Sequence, residues 1–255
     1  MVFEGVEAES PEQMTLLFTI EIGNPRPYSG RAAIEAYSIE INGQEALSGL
    51  TLENAENDFR FPAQATSSYP LKLSMDIAAL AAAGLAPFDE YRVNLKTKLD
   101  FTWNDEAAAR QKKDVSCLAA FPGVRAPIFA ITAIAILKAE LINTRFRVTL
   151  KIDNPNSFPM DLSAFSYELY GNGRLWADGT EKNIIKVPAK SSLTGNLFLL
   201  MNFINMKRDL LDQIINLEDV NYRFAGQVQV STGVEYLPRF TSAFNLSGYS
   251  KVYDN

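Results

Sequence analysis

Four hard oxygen donors, Asp153, Asn154, Asn156 and Asp161, lie close together in this chain. Carboxylate and amide oxygens at such spacing are the ligand types that hold calcium. The loop lacks the spacing and the glycine of an EF-hand, so a polar turn is the expected reading and no metal ligand is assigned. Acid–base and nucleophilic chemistry have even less material. The chain contains no histidine, which removes the commonest general base together with the Ser/His and Cys/His pairs. Its one cysteine, Cys117, sits in the apolar run Val115-Ser116-Cys117-Leu118-Ala119 and reads as a small core residue. Two carboxylates brought together from distant strands remain a route to hydrolysis, but no local constellation marks such a pair. No catalytic residue and no cofactor is expected.

The elements that position these residues occur twice. Asn24-Pro25 recurs as Asn154-Pro155, Tyr37 as Tyr167, Asn42-Gly43 as Asn172-Gly173 and Gly49 as Gly179, all at one constant offset. Further on the offset wanders: Phe61-Pro62-Ala63 matches Val187-Pro188-Ala189, Tyr91-Arg92 matches Tyr222-Arg223, and Gly123 matches Gly248. Loops take insertions more readily than the elements they join, and a repeat of this length is a whole domain. Two domains are expected, 1–123 and 124–255, joined by the short proline-bounded connector Pro122–Pro127. At 255 residues each half is long enough to bury its own core.

Each copy opens with period-2 alternation. Leu16, Phe18, Ile20 and Ile22 interleave with Thr15, Thr19 and Glu21, and Phe146, Val148, Leu150 and Ile152 interleave with Arg145, Arg147, Thr149 and Lys151. That pattern is a strand with one wet face, neutral to acidic in the first copy and basic in the second. Asn-Pro then ends the strand, since proline donates no ladder hydrogen bond and restricts the residue before it. Asn-Gly closes the next hairpin, because a type I′ turn needs positive φ at both central residues. Short helices are expected over Asp76–Ala83 and Asn205–Asn216, and a solvated helical turn at the hairpin tip Asn104–Lys113. Tyr170 and Trp176 flank a hairpin as candidate surface aromatics or a cross-strand pair. The sum is an all-β fold with minor α: two tandem fibronectin-type-III-like β-sandwiches, each with one short helix.

The run Phe146-Arg-Val-Thr-Leu-Lys-Ile-Asp-Asn-Pro-Asn-Ser-Phe-Pro-Met160 resembles the hallmark strand and Asn-Pro-Asn turn of the late-embryogenesis-abundant group 2 family, also called LEA14-like or the WHy domain. The Tyr167 strand, the Gly173–Gly179 hairpin and Ile185-Lys-Val-Pro-Ala189 follow in the family's order. The first copy is similar but looser, with Gly23-Asn-Pro-Arg-Pro-Tyr28 at the turn. The resemblance implies a folded, non-enzymatic β-sandwich associated with desiccation and stress protection in plants, with related domains in exported bacterial proteins. It also implies a candidate lipid site between sheet and helix, as proposed for membrane-anchored relatives. For such a site the apolar residues Met206, Leu210 and Ile214 of the second helix are the candidate ligand-binding set. Asn24, Pro25, Asn154 and Pro155 are expected to be structural.

Net charge is −6 with no basic cluster, so no nucleic-acid partner is expected. A protein, a lipid or a membrane surface is the expected partner class. The longest apolar run, Ile128–Leu137, is about half of what a transmembrane helix needs. The second copy runs from Pro127 to Asn154, and the same stretch counted back from Asn24 would begin upstream of Met1. A leader or lipid anchor upstream, and an exported or periplasmic location, are therefore expected over a cytoplasmic one. Two function classes follow: a stress-protective binding protein that contacts lipids or membrane surfaces, or a structural, protein-interaction module of an exported, membrane-anchored protein.

Overall fold

Polar and apolar residues alternate along Gln13–Asn24, and Met14, Leu16, Phe18, Ile20 and Ile22 are all buried. A strand with one apolar face must lay that face on a second sheet. The computed structural model describes residues 1–53, 58–105, 110–138, 144–201 and 219–254. They divide into two units: Met1–Val124 with Val234–Leu237, and Arg125–Gly233 with Pro238–Asn255.

Unit one carries β1 (Val2–Ser10), β2 (Gln13–Asn24), β3 (Gly30–Ile41), β4 (Gln44–Glu45), β5 (Leu50–Glu53), β6 (Phe59–Phe61), β7 (Ala65–Asp76), α1 (Ile77–Ala82), β8 (Glu90–Trp103) and β9 (Gln111–Pro122). One sheet runs β1-β2-β7-β5, and the other runs β4-β3-β8-β9 with β6 beside β3. Leu16 and Phe18 of β2, Leu71 and Leu73 of β7, and Val93 and Leu95 of β8 share one buried cluster, so the two sheets enclose a single core. After the short β4 the chain leaves β3 and crosses to pair β5 with β7.

Unit two carries β10 (Ile128–Lys138), β11 (Thr144–Asp153), β12 (Met160–Gly171), β13 (Arg174–Glu181), β14 (Ile185–Val187), β15 (Ser192–Met201), β16 (Asp219–Ser231) and β17 (Arg239–Asp254). The strand order is β13-β12-β16-β17-β10-β11-β15, with β14 beside β12. Its one parallel contact among the described residues sets Ile134–Ile136 of β10 against Val252–Asp254 of β17. Phe129, Phe165, Phe224 and Phe244 form an aromatic centre, with Phe165 and Phe244 stacked at 5.0 Å. Here β13 stays on β12 for its whole length.

The fold is thus mostly strand, sandwich-like and antiparallel, with one short helix among the described residues. That helix falls where the sequence places it. Asp76 is its N-cap and its Oδ1 accepts from the Ala79 N–H at 3.0 Å. Gly84, at φ +75°, ends it, with the Leu85 N–H returning to the Leu80 carbonyl at 2.8 Å. The second expected helix, with Met206, Leu210 and Ile214, lies outside the described residues. At the hairpin tip, Gln111–Lys113 belong to β9 rather than to a helical turn, while residues 106–109 lie outside the described set.

Candidate functional site

The turn that ends β2 and the turn that ends β11 are built by the same hydrogen bonds. Asn24 Nδ2 donates to the Tyr28 carbonyl at 2.9 Å and to the Pro62 carbonyl at 2.7 Å, and its Oδ1 accepts from the Arg26 N–H at 3.1 Å. Asn154 Nδ2 donates to the Phe158 carbonyl at 2.8 Å and to the Pro188 carbonyl at 3.0 Å, and its Oδ1 accepts from the Asn156 N–H at 2.9 Å. The Gln64 N–H reaches the Arg26 carbonyl at 3.0 Å, and the Lys190 N–H reaches the Asn156 carbonyl at 2.9 Å. Both donors come from left-handed residues, Gln64 at φ 52° and Lys190 at φ 50°. Each asparagine is buried and ties its turn to a loop far along the chain, with Pro25 and Pro155 stopping the strand behind it.

The Asn-Gly hairpins agree as closely. The Asn42 N–H donates to the Arg92 carbonyl at 2.9 Å while the Arg92 N–H donates to Asn42 Oδ1 at 2.8 Å. Asn172 and Asn221 make the same pair at 2.7 and 3.2 Å. Both turns have positive φ at both central residues, as a type I′ hairpin needs.

Where the units differ is in what surrounds the turn. Asn156 is fully buried and grips the backbone of Arg125, accepting from its N–H at 2.8 Å and donating to its carbonyl at 2.9 Å. At the matching position Arg26 lies instead over the Trp103 ring, 4.2 Å from its centroid. The four residues whose oxygens are of the calcium-ligand type, read from the sequence as a polar turn, are engaged in part by the fold itself. Asn154 Oδ1 and Asn156 Oδ1 accept backbone N–H groups, and Asp153 takes Lys151 Nζ at 2.9 Å and the Ser192 hydroxyl. The Ser192 hydrogen bond, and then Lys151, hold the Asp153 carboxyl below the usual carboxylate range. Asp161 lies on β12, opposite Ser231 and Lys186. No group of three or more His, Cys, Asp or Glu side chains is placed to hold a metal among the described residues.

The end of unit one beside α1 holds an open groove of about 1050 Å³, lined by Glu7, Glu9, Ser10, Gln13, Ser74 and Asp76 among others. Its polar rim contrasts with the apolar slot that a lipid tail requires. α1 does not act as a loose lid here, because Leu80 is completely buried and packs on Gly49.

The hairpin position suggests that Trp176 pairs with Tyr170 across the strands or stands at the surface as a contact, and the structure corrects both readings. Trp176 is 4% exposed and stacks on Phe146 at 5.7 Å. A register shift at Leu169/Tyr170 causes the difference: it sets Tyr170 opposite Leu175 and turns Trp176 inward over Gly171. Tyr170 does remain at the surface, its hydroxyl on Glu168 Oε2 at 2.9 Å and its ring under the Arg223 guanidinium at 4.1 Å. Tyr167 lies over Gly179, and burial, followed by the nearby Glu181 and Asp178 charges, raises its phenol above the ordinary value.

The outer faces of β2 and β11 keep the difference in charge seen in the sequence. No helix among the described residues is long and apolar enough to cross a membrane.

With this geometry in hand, the family model for late embryogenesis abundant proteins matches residues 149–239, from within β11 to the start of β17. That match is consistent with a late-embryogenesis-abundant type 2 domain. No curated protein matches the chain. Among solved structures, a protein from Archaeoglobus fulgidus is 20% identical, with a TM-score of 0.32, over 50% of this chain and 95% of its own. Bacteroides uniformis beta-glucuronidase is 11% identical, with a TM-score of 0.25, over 91% of this chain and 26% of its own. The Pseudomonas aeruginosa CupB2 chaperone is 13% identical, with a TM-score of 0.24, over 92% of this chain and 93% of its own. Similarity at this level carries no functional argument.

Proposed function

We propose that this chain, whose residues 149–239 match the late embryogenesis abundant model, is a non-enzymatic, stress-protective binding protein of the LEA14-like type. We read residues 1–123 and 124–255 as two diverged copies of one such domain. The observation that carries this reading is the hydrogen-bond frame of the Asn-Pro turns. It recurs atom for atom in the two units, while the outer sheet faces differ in charge. Side chains held for architecture repeat, and those exposed for contact diverge. The working parts are accordingly sheet surfaces rather than an enclosed pocket, with membrane surfaces among their contacts. The polar groove beside α1 supports surface contact over carriage of a lipid in unit one.

The test is protection. A labile enzyme, and separately dye-loaded vesicles, are dried and rehydrated with this protein or with an equal mass of serum albumin. Higher recovered activity or lower leakage than with albumin supports the reading, and equal recovery in both assays overturns it. Native mass spectrometry with organic extraction asks the separate question of a carried lipid. A defined lipid mass on the purified chain would return the site to an apolar interior.

A further inference from the structure

Strand β11 buries Phe146, Val148, Leu150 and Ile152 and turns Arg145, Arg147, Thr149 and Lys151 to the other side. Its neighbour β15 sets Phe198 in register with Arg147, and Phe198 is 66% exposed. On the other flank β10 sets Ala135, which is buried, beside Arg147, Ala133 beside Thr149, and a third basic position, Lys138, in register with Arg145. Lys151 is neutralised by Asp153. Arg145 and Arg147 have no acidic partner among the described residues. The fold does not require these arginines: the offset that aligns Asn24 with Asn154 places Thr15, Leu17 and Glu21 of β2 where β11 has Arg145, Arg147 and Lys151. In a chain of net charge −6, two such guanidinium groups beside an exposed phenylalanine are a local reversal of sign.

We propose that this outer face of β10, β11 and β15 is a docking surface for an anionic lipid bilayer. Arg145 and Arg147 engage lipid phosphates and carboxylates, for which a guanidinium offers paired donors. Phe198 enters the boundary between headgroups and acyl chains, where an aromatic ring next to cations is favoured. The proposal rests on the membrane-contact reading above and assigns it to one face.

The experiment is vesicle co-sedimentation of the full chain at low and high salt. It uses phosphatidylcholine alone and phosphatidylcholine with about 30 mol% phosphatidylserine, a composition that gives the negative surface potential of a cytoplasmic leaflet. Binding is expected only to the anionic vesicles and is expected to fall with salt. The R145Q/R147Q variant should bind roughly 30-fold more weakly, about five-fold for each charge near an anionic surface. Phe198→Ser should weaken binding at unchanged charge, and Phe198→Trp should report contact through a blue shift on adding anionic vesicles. Near-UV circular dichroism of each variant confirms that the fold is kept. If all three variants bind as the parent chain does, with no shift from Phe198→Trp, the contact lies on another face and this assignment falls while membrane contact stands. If the parent binds neither vesicle at low salt, membrane contact fails with it, and the drying assay on the soluble enzyme still decides whether the protein is protective. Binding to polyglutamate that exceeds vesicle binding and ignores Phe198→Ser would make the face a site for acidic polypeptides and overturn the proposal.

Discussion

Asn156 holds the backbone of Arg125 from both sides, with Oδ1 on its N–H at 2.8 Å and Nδ2 on its carbonyl at 2.9 Å. A side-chain amide here does the work of a neighbouring strand, and it does so while fully buried. Removing it strips two backbone partners inside the protein, each costing about 1–3 kcal/mol. Asn156→Ala should therefore lower unfolding stability by about 2–6 kcal/mol in a urea titration. The matching residue Arg26 is only half-buried and rests on Trp103, an interaction of about 1 kcal/mol. Arg26→Ala should be the milder change. The reverse order would contradict the assignment of Asn156 as the tighter clamp.

Gly171 should be nearly immutable, because a Cβ there would lie 1.8 Å from the Trp176 ring. The obstruction is a buried indole stacked on Phe146, with no flexible end to swing away. Gly171→Ala is expected to cost about 3 kcal/mol, at the upper end for an overpacked site. Made in a Trp103→Phe background, it leaves Trp176 as the only indole, so emission should shift to the red as the ring is pushed toward water. Unchanged emission and stability would place Trp176 elsewhere.

Ion pairs on unit one, two with half-exposed glutamates and one with the buried Asp100, predict how stability responds to acid. Lys112 pulls Glu35 below the usual carboxylate range, Lys96 then Asn94 do so for Glu40, and Arg110 does so for Asp100. Carboxylates with depressed folded values contribute stability above their unfolded value of about 4 and lose it as pH falls through the folded value. The melting temperature should thus fall as pH drops below about 4. An R110Q/K112Q variant should melt below the parent at pH 7 and converge on it in acid, where the carboxylates are protonated in both. High salt should narrow the gap at pH 7, chiefly through the exposed Lys112–Glu35 pair, because Asp100 is buried beneath the exposed Arg110 head and is screened less. A gap that stays constant down to pH 2 would mean that these pairs contribute nothing through charge.

Much of the architecture is legible in the sequence because local chemistry determines it. Asn42-Gly43 and Asn172-Gly173 turn as they do because few other dipeptides accept two positive φ angles, and α1 follows from a capping aspartate and a closing glycine. The long-range ties are not legible. The sequence marks Asn24 and Asn154 as turn residues, but their amides reach the carbonyls of Pro62 and Pro188, which no local pattern announces. Trp176 escapes a local reading for a related reason. A bulge shifts the alternation by one residue and exchanges inside for outside, and the bulge has no local signature in Tyr170–Ala177. The crossing of β5 onto β7, where β13 stays on β12, is likewise a tertiary choice between two sheets. Of the site residues, the turn asparagines are found by their chemistry, and the basic face of β11 by its period-2 pattern. Phe198 is missed because its exposure depends on β15 having Arg147 as its cross-strand neighbour.

The oxygen-rich loop gives the last prediction. Asp153, Asn154, Asn156 and Asp161 are the right atoms for calcium, yet Asn154 Oδ1 and Asn156 Oδ1 already accept backbone N–H groups, and Asp153 accepts from Lys151 and Ser192. A cation would have to break those bonds and displace an ammonium before gaining its own ligands. Calcium should therefore leave the thermal midpoint unchanged, and a chelator should not lower it. The sensitivity of this measurement is favourable. A site with a dissociation constant of about 10 μM would add about 2.7 kcal/mol at about 1 mM calcium, well above the resolution of a melting curve. A rise of that size, abolished by Asp153→Asn, would show that the Lys151–Asp153 pair opens to admit the ion. An unchanged midpoint, together with lower stability in Asp153→Ala, is the expected result and assigns the loop's oxygens to holding the turn.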